Sequence, residues 1–462
     1  MAIVPTRVRR LLLVIAIPVF IFLTLLLIRS DSLPDDVDDK LPHRLTGEPA
    51  GYNPKAKPQP LHKPEPAQPM PIKDNFPLAA RAESHRDLPP IPSWNQPPKP
   101  HVKHATPLFI GFTRNWRLLQ QTVVSYIAAG WPPADIYVVE NTGVMNANKD
   151  GKLTLQNPFY LNHRRLTELL GVNVLTTPTL FTFAQLQNYY LWTSVQKGWA
   201  HYWWAHMDTV VISDEEYTGD TYKSVYMRAV QAMEETLEPT WGPLATIWFH
   251  YDRLALVRTQ SFLDVGGWDT LIPFYHTDCD MHERLWMKGF KIATSDAGKI
   301  WDVGESLDDL GLLYKRGEVQ QEENGAMKPE GKEKVGPEKN SPAYKDLLAK
   351  LDILQVAKNE DAGKRLSWQQ TQKGGQGEPF YRDPDGFQQG IQMWQDFGKG
   401  VFHEKWGFPD CTLREVGLKT DDQWRVVKDW AKENIQRKYF RDKERDAKAI
   451  ARIQQEGKQD AR

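Results

Sequence analysis

Tyr202-Trp203-Trp204-Ala205-His206-Met207-Asp208-Thr209-Val210-Val211 is the stretch on which the fold reading turns. The aromatic run reads as a buried strand, and Asp208 falls where such a strand surfaces. An acidic residue there can hold a metal at the mouth of a sheet. Upstream, 108–112 reads as a strand and 116–129 as a helix, ended by Gly130 before Pro132 and Pro133. Residues 135–139 form a second strand that closes on Glu140-Asn141-Thr142-Gly143. A helix at 164–170, a strand at 172–175 and a helix at 183–196 follow, the helices ended by Gly171 and Gly198. Strands alternating with helices predict an α/β fold, a mostly parallel sheet with helices on both faces. Ligands of such sheets sit outside the carboxyl ends of the strands, where Glu140 and Asp208 both fall.

Downstream, 247–257 reads as one more strand, and Val265-Gly266-Gly267-Trp268-Asp269 as a turn. Thr277-Asp278-Cys279-Asp280 then opens a helix that ends at Gly289, before a strand at 291–293. A helix is expected at 344–356, and a second aromatic cluster spans 387–408. Residues 317–341 are charged and poor in apolar side chains, which predicts a disordered insertion; 431–462 reads as a charged helical tail.

The amino-terminal part has a different character. Residues 11–28 form 18 unbroken residues without a charge, enough to span a bilayer. Arg7, Arg9 and Arg10 precede them, and Asp31, Asp35, Asp36, Asp38 and Asp39 follow. Positive residues stay cytosolic, so 1–10 is expected in the cytosol, 11–28 as an uncleaved anchor and the remainder in a lumen; a cleaved signal peptide is the rival reading. Residues 29–104 carry about half of the 33 prolines and read as a disordered, extended stem. One domain is expected over 105–430.

The net charge of −1 gives no general attraction to nucleic acid. The 17 tryptophans suit either sugar contact or a large core. Only Cys279 and Cys411 are present, and both a disulfide and a buried free thiol are open.

Taken in order, these segments resemble nucleotide-sugar glycosyltransferases of the GT-A fold, closest to the family 2 type, over residues 106–300. The resemblance rests on His206-Met207-Asp208-Thr209-Val210-Val211 at a strand end, Val265-Gly266-Gly267-Trp268-Asp269, Thr277-Asp278-Cys279-Asp280, and Gly289-Phe290-Lys291 after the helix. It implies an inverting, metal-dependent sugar transfer from a nucleotide-sugar donor to a glycan, glycoprotein or glycolipid acceptor. Asp208 would be a metal ligand, and Asp278 the base that takes the acceptor proton. An N-terminal helix cap is the bland alternative for Asp278.

His206 stands where the family has its first Asp. Imidazole suits Mn²⁺ better than Mg²⁺, though the replacement also leaves lost metal binding open. His403 or Asp302 would supply a third ligand, and Phe402-His403-Glu404-Lys405-Trp406-Gly407 resembles a Lys-Trp-Gly segment of some Golgi transferases. Arg114, Glu140, Asn188, Gly266, Gly267, Trp268, Asp269 and Asp280 are the expected donor or acceptor contacts. With the anchor and stem, this layout is that of a type II membrane protein of the Golgi or endoplasmic reticulum. A catalytically inactive glycan-binding or scaffold protein on the same fold is the alternative, favoured by His206. A nucleotidyltransferase is a third reading, disfavoured by the anchor and the two acidic motifs.

Overall fold

Strand β1 (Leu108–Phe112) is buried on both faces. Leu108, Ile110 and Phe112 enter one apolar layer and Phe109 the other, as the two-residue period of a strand requires. The same alternation holds in β2 (Ile136–Glu140), where Ile136 and Val138 oppose Val139, and in β4 (His201–Ala205), where Trp203 and Ala205 oppose Tyr202 and Trp204. The computed structural model describes residues 59–62, 71–237, 242–314, 338–360 and 384–431.

These strands belong to a seven-stranded sheet in the order β3-β2-β1-β4-β7-β6-β8, with β3 at Asn173–Thr176, β6 at Leu244–Phe249, β7 at Leu254–Arg258 and β8 at Lys291–Ser295. Only β7 runs against the other six. A two-stranded ribbon pairs β5 (Thr209–Ile212) with β9 (Lys299–Asp302). The mostly parallel α/β expectation agrees with this sheet. The single strand expected at 247–257 does not: the segment is an antiparallel hairpin, β6 and β7, turning at His250-Tyr251-Asp252-Arg253.

Helices cover both faces. Helix α1 (Pro77–Arg81), α2 (Trp116–Ala128), α4 (Val225–Glu235) and α7 (Pro342–Glu360) contribute to one layer; α3 (Phe183–Lys197), α5 (Thr259–Asp264) and α6 (Thr277–Met287) contribute to the other. Residues 165–169 form a π-helical turn rather than an α-helix. Helix α8 (Pro384–Trp406) holds most of the second aromatic cluster; Phe402 and Trp406 pack with Ile272, Phe408 and Leu413. Trp116, Trp131, Trp203 and Trp406 are fully buried, so core packing accounts for much of the tryptophan excess. Cys279 and Cys411 form a disulfide with Cα atoms 5.2 Å apart, which closes the free-thiol alternative.

The stem expectation needs correcting at its carboxyl end. From residue 71 onward the chain packs on the domain. Phe76 is fully buried and stacks on Tyr314 at 6.0 Å. Asn95 is fully buried, donates to the Ala128 carbonyl at 2.8 Å and accepts from the Tyr222 hydroxyl. Two apolar or amide anchors per few turns of chain suffice to dock a proline-rich segment whose backbone entropy is already low. Asn95→Ala is therefore expected to cost about 1–3 kcal/mol, because it removes a buried amide's hydrogen bonds to the Ala128 carbonyl and the Tyr222 hydroxyl. Denaturant unfolding checks this; a loss below about 0.5 kcal/mol would mean the segment is not part of the core.

The anchor at 11–28, the insertion at 317–341 except its last four residues, and the tail at 431–462 except Ala431 lie outside the described residues. Among the described residues no helix is long and apolar enough to cross a membrane.

Candidate active site

A cleft of about 540 Å³ opens at the carboxyl ends of β1, β2 and β4, lined in part by Gly111, Arg114, Asn141, His206, Asp208 and Trp394. A larger pocket of about 820 Å³ lies at the opposite edge, around His201 and Arg258. The acidic residue singled out at the end of β4, Asp208, lines the smaller one.

Strand register assembles the acidic cluster. In the β5–β9 ribbon Thr209 pairs with Asp302, and the Val303 amide donates to the Asp208 carbonyl at 2.9 Å. Asp208 and Asp302 thus stand side by side. The hydroxyl of Thr122 on α2 pins the approach, donating to the Met207 and Thr209 carbonyls at 2.6 and 2.7 Å. Between the two carboxylates sits the ammonium of Lys358, from the last turn of α7: it is 2.9 Å from Asp208 Oδ2 and also bonds Asp302. Its side chain is only 7% exposed. Burial opposes that charge, but Asp208 and Asp302 outweigh it and hold the lysine above its ordinary pKa.

The second register is that of β4 and β7, which sets Ala205 opposite Leu254. His206 then faces the hairpin turn, and its Nε2 lies 3.3 Å from Asp252 Oδ2. Desolvation lowers the imidazole pKa, yet Asp252, Asp208 and Asp302 overcome this and push it up to about 9. His206, expected as a metal ligand, is paired with Asp252.

His403, the other expected ligand, lies 2.9 Å from Asp429. Asp208, His206 and His403 thus each face a different partner. Among the described residues no group of three or more His, Cys, Asp or Glu side chains is arranged around one metal position. Two converging carboxylates are nevertheless a common way to hold Mg²⁺ or Mn²⁺, whose remaining positions go to phosphate and water. The tethered cation between Asp208 and Asp302 marks where those oxygens converge. The pair fits a divalent metal once the ammonium is elsewhere.

Asp278 occupies the first turn of α6, four residues after the cleft-lining Phe274. Burial raises its carboxyl pKa, the neighbouring Asp252 adds to this, and the Cys279 amide and His276 work against it. His282 lies one turn further along the same helix face. It packs on Trp248 with rings 4.7 Å apart, and desolvation pushes its pKa down to about 4, leaving a neutral imidazole beside Asp252. Asp252, His282 and Lys358 were not singled out from the sequence. The positive φ at His250 and Tyr251, 51° and 63°, marks the tight turn that presents Asp252.

Several expected ligand contacts are engaged internally instead. Asp280 is fully buried: it accepts from Arg284 Nε at 2.8 Å and Trp406 Nε1 at 2.9 Å, and contacts Lys405 Nζ at 2.6 Å. Lys405 also donates to Asp269 at 2.7 Å, and Arg284 donates to the Val265 and Gly267 carbonyls. Asn188 accepts from the Trp268 amide and donates to its carbonyl, both at 2.8 Å. A Cβ on Gly267 would come within 2.8 Å of Asn188 Oδ1, and its φ of +72° favours glycine as well. Gly266 shares that geometry, with φ of +86°. Trp268 is buried against Phe183 and Phe262. Asn188, Gly266, Gly267, Trp268, Asp269 and Asp280 therefore build the turn and lock it to α6 and α8.

Glu140 is buried and accepts from Asn148 at 2.6 Å, His163 at 2.7 Å, and the hydroxyls of Thr142 and Thr176. Those bonds use both oxygens and tie the loops beyond β2 and β3 together. Arg114 does line the cleft. Its guanidinium lies 4.5 Å over the Phe387 ring and donates to Gln388 on α8 at 3.1 Å, and desolvation lowers its pKa to about 10. It still carries its charge at neutral pH, at the cleft wall where an anionic group would enter.

No family model matches the chain, and no curated protein matches it. Among solved structures, a mannosyltransferase from Pyrobaculum calidifontis in complex with GDP-Man and Mn²⁺ is similar at a TM-score of 0.29 and 12% identity, over 44% of this chain and 58% of that one. A cytidylyltransferase from Leptospira borgpetersenii gives 0.27 and 9%, over 42% and 76%. The catalytic domain of Drosophila beta1,4-galactosyltransferase 7 in complex with xylobiose gives 0.23 and 13%, over 41% and 64%. The chain spans 58% of the mannosyltransferase's length. At these TM-scores the likenesses assign no activity, and the reading below rests on the site.

Proposed function

We propose that the chain is a glycosyltransferase that moves a sugar from a nucleotide-sugar donor to a hydroxyl of a glycan or glycoconjugate. One observation carries this reading. The carboxylate pair Asp208 and Asp302 and the basic Arg114 stand at the carboxyl edge of the sheet, Arg114 and Asp208 in the wall of its cleft, and the buried Asp278 neighbours the Asp252 that pairs with His206. In the proposed step the acceptor oxygen attacks the anomeric carbon and its proton passes to ionised Asp278. The bond from that carbon to the diphosphate oxygen breaks, its electron pair leaving with the phosphate. Attack opposite the leaving group inverts the anomeric centre. A pKa raised above the ordinary carboxylate value makes Asp278 a better proton acceptor. Arg114 would meet phosphate charge.

Asp208 and Asp302 would hold a divalent metal, which when bound would neutralise charge on the diphosphate. The case for Mn²⁺ over Mg²⁺ rested on an imidazole ligand. Two hard carboxylate oxygens suit either ion, so that preference is not carried forward.

Calorimetric titration of the protein with a panel of nucleotide sugars, with Mn²⁺, Mg²⁺ or chelator, tests the reading. Saturable binding of at least one nucleotide sugar is expected, with release of its nucleoside diphosphate on acceptor addition. Glycan binding without donor binding would instead establish the non-catalytic alternative.

The anchor at 11–28 and a luminal Golgi or endoplasmic reticulum location complete the proposal. The Arg-before, Asp-after asymmetry supports it, and so does the disulfide, which suits an oxidising compartment. Residues beyond 30 should resist added protease in intact microsomes; their digestion would reverse the topology.

A further inference from the structure

Lys358 has no place in the proposed transfer, yet it is the most closely held cation of the cluster. Its ammonium is shared by Asp208 and Asp302, and its side chain is nearly inaccessible. The last turns of α7 are fastened to the same ribbon. Asp352 accepts from Trp301 Nε1 at 2.7 Å, and Gln355 accepts from the Asp302 amide at 3.2 Å and from Arg253 at 3.1 Å. The helix end is thus built to deliver one lysine to one pair of carboxylates.

We propose that Lys358 is an intrinsic competitor for the divalent-metal position. It neutralises Asp208 and Asp302 in the metal-free protein and must withdraw before the metal is bound. The inference rests on the metal reading of that carboxylate pair. Three charges decide the competition. Two carboxylates facing each other repel, so the metal-free ribbon needs a counter-cation. A divalent ion at the same oxygens would lie a few ångströms from the ammonium, and like charges at that range disfavour joint occupancy. A lysine suits an exchangeable role, being a compact charge on a flexible four-carbon stem at a helix end. An arginine would hold both carboxylates in a rigid fork. Metal binding therefore displaces the Lys358 side chain, and the position of Lys358 reports whether the site is loaded.

Removing the competing charge should tighten metal binding. Lys358→Met keeps the length and removes the ammonium. Calorimetry with Mn²⁺ alone, without nucleotide or sugar, is expected to show at least tenfold higher affinity than the parent, about 1.4 kcal/mol. Asp302→Asn in the Lys358→Met background should abolish the gain. Equal or weaker Mn²⁺ affinity in folded Lys358→Met would overturn the proposal, because the lysine would then be neutral or helpful to the metal.

The parent protein gives a second measurement that needs no variant to fold. Mn²⁺ should increase amine-specific labelling of Lys358, read by mass spectrometry of the peptide. Unchanged or reduced labelling at saturating Mn²⁺ would equally sink the idea. Neither measurement involves a donor sugar. A protein that passes both yet binds no nucleotide sugar would refute the transferase reading and leave this one standing.

Discussion

Asp278→Asn is expected to lower sugar transfer by roughly 10²–10⁴-fold while leaving donor affinity unchanged. The carboxylate acts only when the acceptor hydroxyl attacks, so its loss should appear in turnover and not in donor binding. Asn keeps the shape and can still accept a hydrogen bond from a first-turn amide, so the start of α6 should survive. Burial raises the Asp278 pKa, which fixes the sign of a second effect. The native state favours the protonated acid. The parent therefore loses stability as pH rises from the ordinary carboxylate range through the raised folded value. Asn does not titrate. The variant's melting temperature should exceed the parent's at neutral pH, and the two should converge as the solution is acidified below the unfolded pKa. Transfer at the parent rate would reduce Asp278 to a helix-start residue. A parent that gains on the variant with rising pH would contradict the burial argument.

Asp280→Ala should cost about 3–5 kcal/mol of folding free energy, by leaving buried cations without their partner. Arg284 would keep its two carbonyl acceptors but lose its charge partner, Lys405 would keep only Asp269, and the Trp406 indole would lose its acceptor. The damage should spread, because those groups hold the Gly266-Gly267-Trp268 turn and the end of α8 against α6. Guanidinium unfolding of parent and variant measures it. A loss under about 1 kcal/mol would mean that solvent reaches the network and that Asp280 is free for another task.

These two aspartates, two residues apart, show what could and could not be read from the chain. The motif Thr277-Asp278-Cys279-Asp280 was visible as an acidic helix start, with Asp278 read as the base and Asp280 as structural or acceptor-orienting. Their division depends on α8, whose Lys405 and Trp406 lie more than a hundred residues further along. Strands were legible wherever an apolar run ended at a charged or glycine-containing turn, as in β1, β2 and β4. The β6–β7 hairpin was missed because His250-Tyr251-Asp252-Arg253 contains no glycine or proline, the strongest markers of a tight turn, and only one aspartate. With the hairpin went Asp252, the partner of His206. Asp208 was readable from its place at a strand end. Asp302 was named as a candidate ligand, but its place beside Asp208 follows from the β5–β9 register, and Lys358 from the docking of a helix 150 residues away in sequence. The proline-rich composition of the stem obscured Phe76 and Asn95, since composition averages over single anchors.

The Cys279–Cys411 bond joins points 132 residues apart in sequence and closes that stretch into a covalent ring. Asp302 and Lys358 lie inside the ring; Asp208, His206 and Asp252 lie outside it. A protease that nicks the ring once leaves the two polypeptides tied. Nicked protein would run as one species in non-reducing electrophoresis and as two after reduction. The fragment that carries Lys358 would not be shed from the protein until the bond is reduced.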